Sequence, residues 1–297
     1  AEIGDLKRSL ATAGAGGRRT EAGGVWFAPY GAVGAVYGDA ATHSVSYGLH
    51  GFAAGGDFEL FGDFRIGGAL SYSSTALSTS LASSGTNEAF SVAAYASYAP
   101  RPWYVDAAAG YAYNWGNLTR TIAFPGIFRT AQGNPTANQF IGSIESGLAF
   151  SVTPRLALTF FARVEVTSAS QNPFTETGAG AISLSATAQN TTGVRSIFGV
   201  EFSGSVAITK TQPLSMALRL GWAHDYADLS GALNASFVGK PDTSFIVYGP
   251  TPDRNAATIG AGLTLPLPLG QAFLNYDGNL AQGYTYHAAT LGLRIAF

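Results

Sequence analysis

The chain has 297 residues, a formal net charge of −2, 46% hydrophobic and 11% charged residues, and no cysteine. So few charges cannot cover an ordinary soluble surface, where about a quarter of residues are charged, and the near-neutral balance offers no clustered basic surface for nucleic acid. Without cysteine there is no disulfide framework, thiolate metal site or cysteine nucleophile.

The N-terminus, Ala1-Glu2-Ile3-Gly4-Asp5, has neither the basic nor the apolar region of a signal peptide, so a mature or excised segment is expected. Glu2, Asp5, Lys7, Arg8 and Leu10 amid Ile3, Leu6, Ala11 and Ala13 predict a short helix, which Gly14, Gly16 and Gly17 break. A dozen helical residues span about 18 Å. Part helix and part extended, residues 1–23 would cross an apolar band of about 25 Å as a linker through a pore. Lys7, Arg8, Arg18 and Arg19 are its basic residues.

From Gly24 onward the sequence reads as long aromatic-rich runs with period-two alternation, separated by Gly, Pro, Asn, Asp and Ser clusters. Twelve strands are expected near 24–37, 44–60, 63–79, 86–100, 102–119, 137–152, 155–168, 192–206, 214–228, 254–266, 271–280 and 285–297. No run reaches the roughly 18 consecutive apolar residues of a membrane helix; the nearest, Thr258 to Gly270, is interrupted by Pro266 and Pro268. Low charge, 38 glycines and 12% aromatic residues fit strands that alternate lipid-facing and lumen-facing positions. The expected fold is therefore all-β: a closed antiparallel transmembrane β-barrel of about 12 strands over 24–297, with the N-terminal segment in its lumen.

Connections point the same way. Phe61-Gly62, Pro100-Arg101, Thr153-Pro154 and Leu267 to Gly270 read as tight turns, whereas Arg120 to Thr136, Ala169 to Thr191 and Leu229 to Asp253 read as long loops. Outer-membrane barrels place turns in the periplasm and loops outside, which leaves the C-terminus periplasmic.

A lipid-facing charge costs roughly 2–4 kcal/mol at the bilayer midplane, so strand charges should share one parity and point inward. Arg163 and Glu165 oppose Leu158, Phe160 and Val164; Arg195 and Glu201 oppose Phe198 and Phe202. The same sorting turns Arg65, Asp106, Glu145, Arg219, Asp277 and Arg294 to the lumen. The first two strands are ambiguous, as a glycine bulge near Gly55-Gly56 would make them. Trp26, Tyr98, Trp103, Trp115 and Trp222 lie near strand ends and are expected in interfacial belts.

Little here points to chemistry. His43, His50, His224 and His287 are too dispersed for a metal motif, and no G-x-S-x-G elbow or H-E-x-x-H is present. Gly14-Ala15-Gly16-Gly17 lacks the lysine of a phosphate loop. His224 beside Asp225, with Asp228 nearby, is the one arrangement open to a general base; a rim histidine near the aromatic girdle is the plainer reading. No catalytic residue, cofactor or metal is expected.

Several segments resemble an autotransporter β-domain, the translocator of type V secretion. These are Val25-Trp26, Tyr37-Gly38-Asp39, Gly51 through Asp57, Gly221 through Tyr226, Phe237 to Val247, Arg254 through Leu263, Tyr276-Asp277-Gly278 and His287 to Phe297. The ending, with Leu291, Leu293, Ile295 and terminal Phe297 alternating with Thr290, Gly292, Arg294 and Ala296, resembles the C-terminal assembly signal of outer-membrane barrels. Ala289 stands where an aromatic residue is often found. The resemblance implies a barrel in the outer membrane of a Gram-negative bacterium that anchors an N-terminal passenger and enables its export, its linker staying in the pore. Its implied partners are outer-membrane lipid, the passenger, the barrel-assembly machinery and periplasmic chaperones. Some relatives cut the linker at an asparagine, helped by acidic wall residues; residues 1–24 contain no asparagine, so no such cleavage is expected there. A stand-alone porin or surface adhesin barrel is the alternative, with an open pore or structured loops.

Overall fold

The structure, a computed structural model, describes residues 22–40, 42–80, 83–208, 213–226 and 231–297. The predicted helix and its basic residues Lys7, Arg8, Arg18 and Arg19 lie outside the described residues. Twelve strands form the barrel wall: β1 (Gly23–Val36), β2 (Val45–Phe61), β3 (Phe64–Thr79), β4 (Ser84–Tyr98), β5 (Trp103–Phe124), β7 (Thr136–Thr153), β8 (Leu156–Gln171), β11 (Gln189–Ala207), β12 (Pro213–Asp225), β15 (Asn255–Leu267), β16 (Gly270–Leu280) and β17 (Tyr284–Ala296). Five further strands occupy the connections between them: β6 (Ile127–Gly133), β9 (Phe174–Thr175), β10 (Leu184–Ala186), β13 (Ala232–Phe237) and β14 (Lys240–Tyr248).

Neighbouring wall strands are antiparallel and sequential around the barrel, and β1 pairs with β17 to close it. The twelve expected strands correspond one to one with these. Along one register row, Val33 leads through Gly48, Ala76 and Thr86 to Asn117 of β5. The other way round, the row passes His287, Gly278, Ile259, Leu220, Val200, Phe160 and Leu148 and meets β5 at Trp103. The row thus returns 14 residues displaced on one strand, from Trp103 to Asn117. That shear tilts the strands about 40° from the barrel axis and leaves an interior wider than that of an eight-stranded barrel.

Gly24 pairs with Ala296, so both ends of the wall lie at the end of the short turns. There the chain reverses within two residues after β2, β7 and β15; Gly62, at φ 51°, takes the left-handed conformation that the β2–β3 turn requires. At the opposite end, β5 continues past the wall into a hairpin with β6, and β14, β13, β10 and β9 form a second sheet. This is a difference from the sequence reading, which gave these segments only as long loops. Pieces of two or three residues, such as β9 and β10, are too short to show alternation, and β10 finds its partner β13 far along the chain.

The outer wall is apolar. Val25, Phe27, Leu70, Ile144, Phe160, Leu218, Leu263 and Leu291 are all exposed, which satisfies strands whose other neighbour is lipid. No helix among the described residues is long and apolar enough to cross a membrane.

The bulge expected near Gly55-Gly56 is absent: β1 and β2 pair without interruption from Gly23–Phe58 to Val36–Val45. The register shift in β2 lies instead between Glu59 and Phe61. The parity of β1 is blurred because both its faces are apolar. Val25, Phe27 and Val33 point outward, while Trp26 and Ala28 are buried inside. Trp26 is thus a lumen residue and not part of an interfacial belt. Trp103, Trp115, Trp222 and Tyr98 are exposed on the outer parity.

Candidate functional site: the charged lumen wall

Antiparallel pairing puts every second side chain inside, and the inward side chains gather into three ionic clusters at different heights. The central one is built on Glu145 of β7, directly opposite Arg163 of β8. Glu145 accepts from Arg163 Nε at 2.7 Å and Nη2 at 2.5 Å, from Arg219 Nη2 at 2.8 Å and from the Tyr104 hydroxyl at 2.7 Å. Arg163 also reaches Glu165 at 3.2 Å, and Arg219 lies 3.4 Å from Glu201. The Arg219 guanidinium sits 3.8 Å above the centre of the Phe161 ring, a cation–π contact.

Asp106 stands directly across from Glu145 on β5, so two carboxylates face one another at the edge of this cluster. Two arginines on a shared carboxylate offset that repulsion. Arg163 is 4% exposed, and an arginine so buried is tolerated only when paired and hydrogen-bonded.

The second cluster ties the first strands to the last. Asp57 of β2 accepts from Arg294 of β17 at 2.9 and 3.1 Å, pairs with Arg65 of β3, and accepts from the Tyr95 hydroxyl at 3.2 Å. Trp26 donates its indole N–H to Tyr95 at 2.9 Å. Room for these side chains comes from small neighbours: a Cβ on Gly55 would press on the Trp26 ring, and one on Gly24 on the Arg294 guanidinium.

At the loop side, Arg195 of β11 holds Asp225 of β12 through two bonds of 2.9 and 2.7 Å and donates to Tyr284 of β17 at 3.1 Å. Arg163, Arg195, Arg219, Glu165 and Asp277 line one cavity of the lumen.

The wall therefore brings together Arg163, Glu165, Glu145, Arg219 and Glu201, with Asp106 beside them. Arg65 and Arg294 form a separate group, Arg195 a third, and Asp277 lines the cavity between strands. Leu291, Leu293, Ile295 and Phe297 are all exposed on the outer side of β17 or at its end.

Sequence reasoning missed Asp57, Asp225, Tyr104 and Tyr95. Asp57 was hidden by the ambiguous parity of β2. Tyr104 shares the parity of Asp106, a signal that was legible. His224 and Asp225 do not form a base pair of the catalytic kind, because adjacent strand residues point to opposite faces. Asp225 is inside with Arg195; His224 is outside with its Nδ1 2.8 Å from Asn255 Oδ1. Asp228 lies outside the described residues. Among the described wall strands one charge breaks the inward rule: Glu88 has the outer parity, where it accepts from Tyr72 at 2.5 Å and Ser74 at 2.8 Å.

In the loop sheet, Arg120 at the far end of β5 pairs with Glu176 at 2.5 Å, and Arg129 donates to the Ala179 carbonyl at 2.6 Å. These bonds join the β5–β6 hairpin to the segment between β8 and β11.

Comparisons with known proteins agree with this geometry. The fold is similar to the translocator domain of the autotransporter NalP from Neisseria meningitidis, at a TM-score of 0.75 and 13% identity, covering 100% of this chain and 96% of that one. It is also similar to the β-domain of the Bordetella autotransporter BrkA, at 0.67 and 17% identity, covering 93% and 100%, and to the transport unit of AIDA-I from Escherichia coli, at 0.60 and 14%, covering 100% and 99%. In sequence, the chain is 25% identical over 292 residues to an extracellular serine protease of Serratia marcescens, covering 95% of this chain but only 27% of that protein. Residues 25–277 match the autotransporter β-domain family, and the chain belongs to that family of outer-membrane barrels.

Proposed function

We propose that this barrel anchors an N-terminal passenger in the outer membrane and enables its export to the cell surface, with residues 1–23 as the linker in the pore and 24–297 as the barrel. The family match over residues 25–277 carries the reading. It is supported by the place where the wall begins: Ala22, whose carbonyl accepts from the Glu59 N–H at 2.7 Å, stands at the turn end. Chain preceding it starts from that side and has the lumen as its way to the loop side.

In this reading the turn end and the C-terminus are periplasmic and the loops extracellular. Lys7, Arg8, Arg18 and Arg19 of the linker face acidic wall groups such as Asp106, Glu145 and Glu201. Leu291, Leu293, Ile295 and Phe297 are what the barrel-assembly machinery reads after periplasmic chaperones deliver the chain. The proteolysis in the Serratia protein's name is a property of that protein; here the barrel carries no chemistry of its own. A test is to fuse a folded reporter ahead of Ala1, express it in a Gram-negative host and add protease to intact cells. Reporter that is protected while the barrel is properly inserted would count against export.

The second reading, a surface adhesin, is favoured by the ordered loop sheet of β9, β10, β13 and β14. Replacing residues 232–248 with a short glycine linker separates the two: export survives the change, whereas adhesion of whole cells would be lost.

A further inference from the structure

The outer face of the described wall strands carries few acidic or basic side chains. On the outward parity of the twelve described wall strands, the only His, Asp, Glu, Lys or Arg residues are His50, Glu88, His224 and His287. The three histidines come from strands far apart in sequence, yet the barrel's shear brings them to one height.

A register row climbs 14 residues over the circuit, about 1.2 residues per strand. Relative to the row of Val33, His287 lies in the row itself, one strand on the descending side. His50 lies two residues below Gly48, one strand on the ascending side. His224 lies four residues above Leu220, four strands round on the descending side. The three heights agree to within about half a residue, or roughly 1–2 Å along the axis.

That level is the loop-side edge of the apolar band, about 20 Å above Trp103 at the turn side. Aromatic residues pack against two of the histidines. His224 packs between Trp222 and Tyr226, at 5.6 and 4.7 Å between ring centres, and Nδ1 of His287 is 2.7 Å from the Tyr276 hydroxyl. In register, His50 is followed by Ser74, Glu88 and Trp115 on the next three strands.

We propose that His50, His224 and His287 form a proton-dependent lipid-binding arc on one side of the barrel, which engages phosphate-bearing headgroups of the leaflet at the loop side. Imidazole is the side chain whose charge ordinarily changes between pH 5 and 8. An imidazolium at headgroup depth attracts anionic lipid, and no lysine or arginine on the outward parity of the described wall strands competes with it. The groups facing His50 are Glu88 and Ser74. Those facing His224 are Asn255, Trp222, Tyr226 and Ser196, and those facing His287 are Tyr276 and Val33. Glu88 is the one carboxylate among them, so the lipid contact is expected to be strongest on the β11–β17 side of the barrel.

The test uses the full chain refolded into phosphatidylcholine vesicles doped with brominated phosphatidylglycerol, with brominated phosphatidylcholine as reference. Quenching of Trp115 and Trp222 reports which lipid lies against the arc and its flanks. On going from pH 8 to about pH 5.5, preference for the anionic lipid is expected to rise at least about five-fold. In the variant His50→Gln, His224→Gln, His287→Gln it is expected to stay flat. Where the triple variant does not fold by gel mobility, His224→Gln alone must reduce the rise. An equal rise in wild type and folded variant, or none in wild type, overturns the proposal.

Discussion

Arg294, three residues before Phe297, donates two hydrogen bonds to Asp57, 237 residues earlier, at 2.9 and 3.1 Å. The pair passes over β1, joining β17 to β2 across the seam where the barrel closes. The first and last strands thus meet through ladder bonds and also through a buried carboxylate that holds Arg294 and Arg65 together.

Removing Asp57 leaves two arginines without that shared carboxylate. Breaking a buried pair from one side costs about 3–5 kcal/mol, so Asp57→Ala is expected to lower the urea midpoint of the lipid-embedded barrel strongly. Asp57→Asn, which keeps an acceptor for Arg294 and Tyr95, should lose less. Equal midpoints for wild type and Asp57→Ala would remove the seam from the account.

Gly55 and Gly48 lie on the same strand with opposite demands. A Cβ on Gly55 meets the Trp26 ring and the Gly68 carbonyl, whereas a Cβ on Gly48 meets nothing within 4 Å. Overpacking costs about 1–3 kcal/mol, so Gly55→Ala is expected to destabilise the barrel. Gly48→Ala should stay within about 0.5 kcal/mol of wild type. Unfolding curves for the two variants should separate clearly.

Depth in the membrane sets the cost of an outward charge. Ile144 lies near the middle of the apolar wall of β7, and Val33 lies at the loop-side edge on β1. Ile144→Arg is expected to cost about 2–4 kcal/mol and Val33→Arg about 0–1. Refolding into vesicles from urea measures both, and equal costs would mean that the wall does not meet lipid there.

The four tryptophans divide by environment. Trp26 is 4% exposed and faces Tyr95 in the lumen, while Trp103, Trp115 and Trp222 are exposed outward. In single-tryptophan variants carrying phenylalanine at the other three positions, brominated lipid should quench the outward ones and spare Trp26. Comparable quenching of Trp26 would return it to the interfacial belt.

The wall strands were legible because a strand between lipid and a polar lumen writes its two faces in alternate letters. Leu158, Phe160 and Val164 against Arg163 and Glu165 is such a case. Where the lumen side is itself apolar, as with Trp26 and Ala28 of β1, the letters no longer distinguish the faces, and with them went Asp57. Glu88 escaped the parity rule because it sits at the rim, where an outward acid costs little. The β9 and β10 part of the loop sheet escaped because those strands are two and three residues long and β10 pairs non-locally, as Ser185 does with Ser236 of β13. The ionic partners themselves depend on register: Arg219 of β12 reaches Glu145 of β7 past β11 and β8, a contact that alternation alone does not fix.

The central claim is that a linker occupies the pore of a translocator. Single-channel conductance in planar bilayers, recorded for the full chain and for a chain lacking residues 1–23, tests it directly. The account expects small, infrequent openings for the full chain and a large stable conductance after the deletion. A full chain that conducts as freely as the truncated one would contradict it.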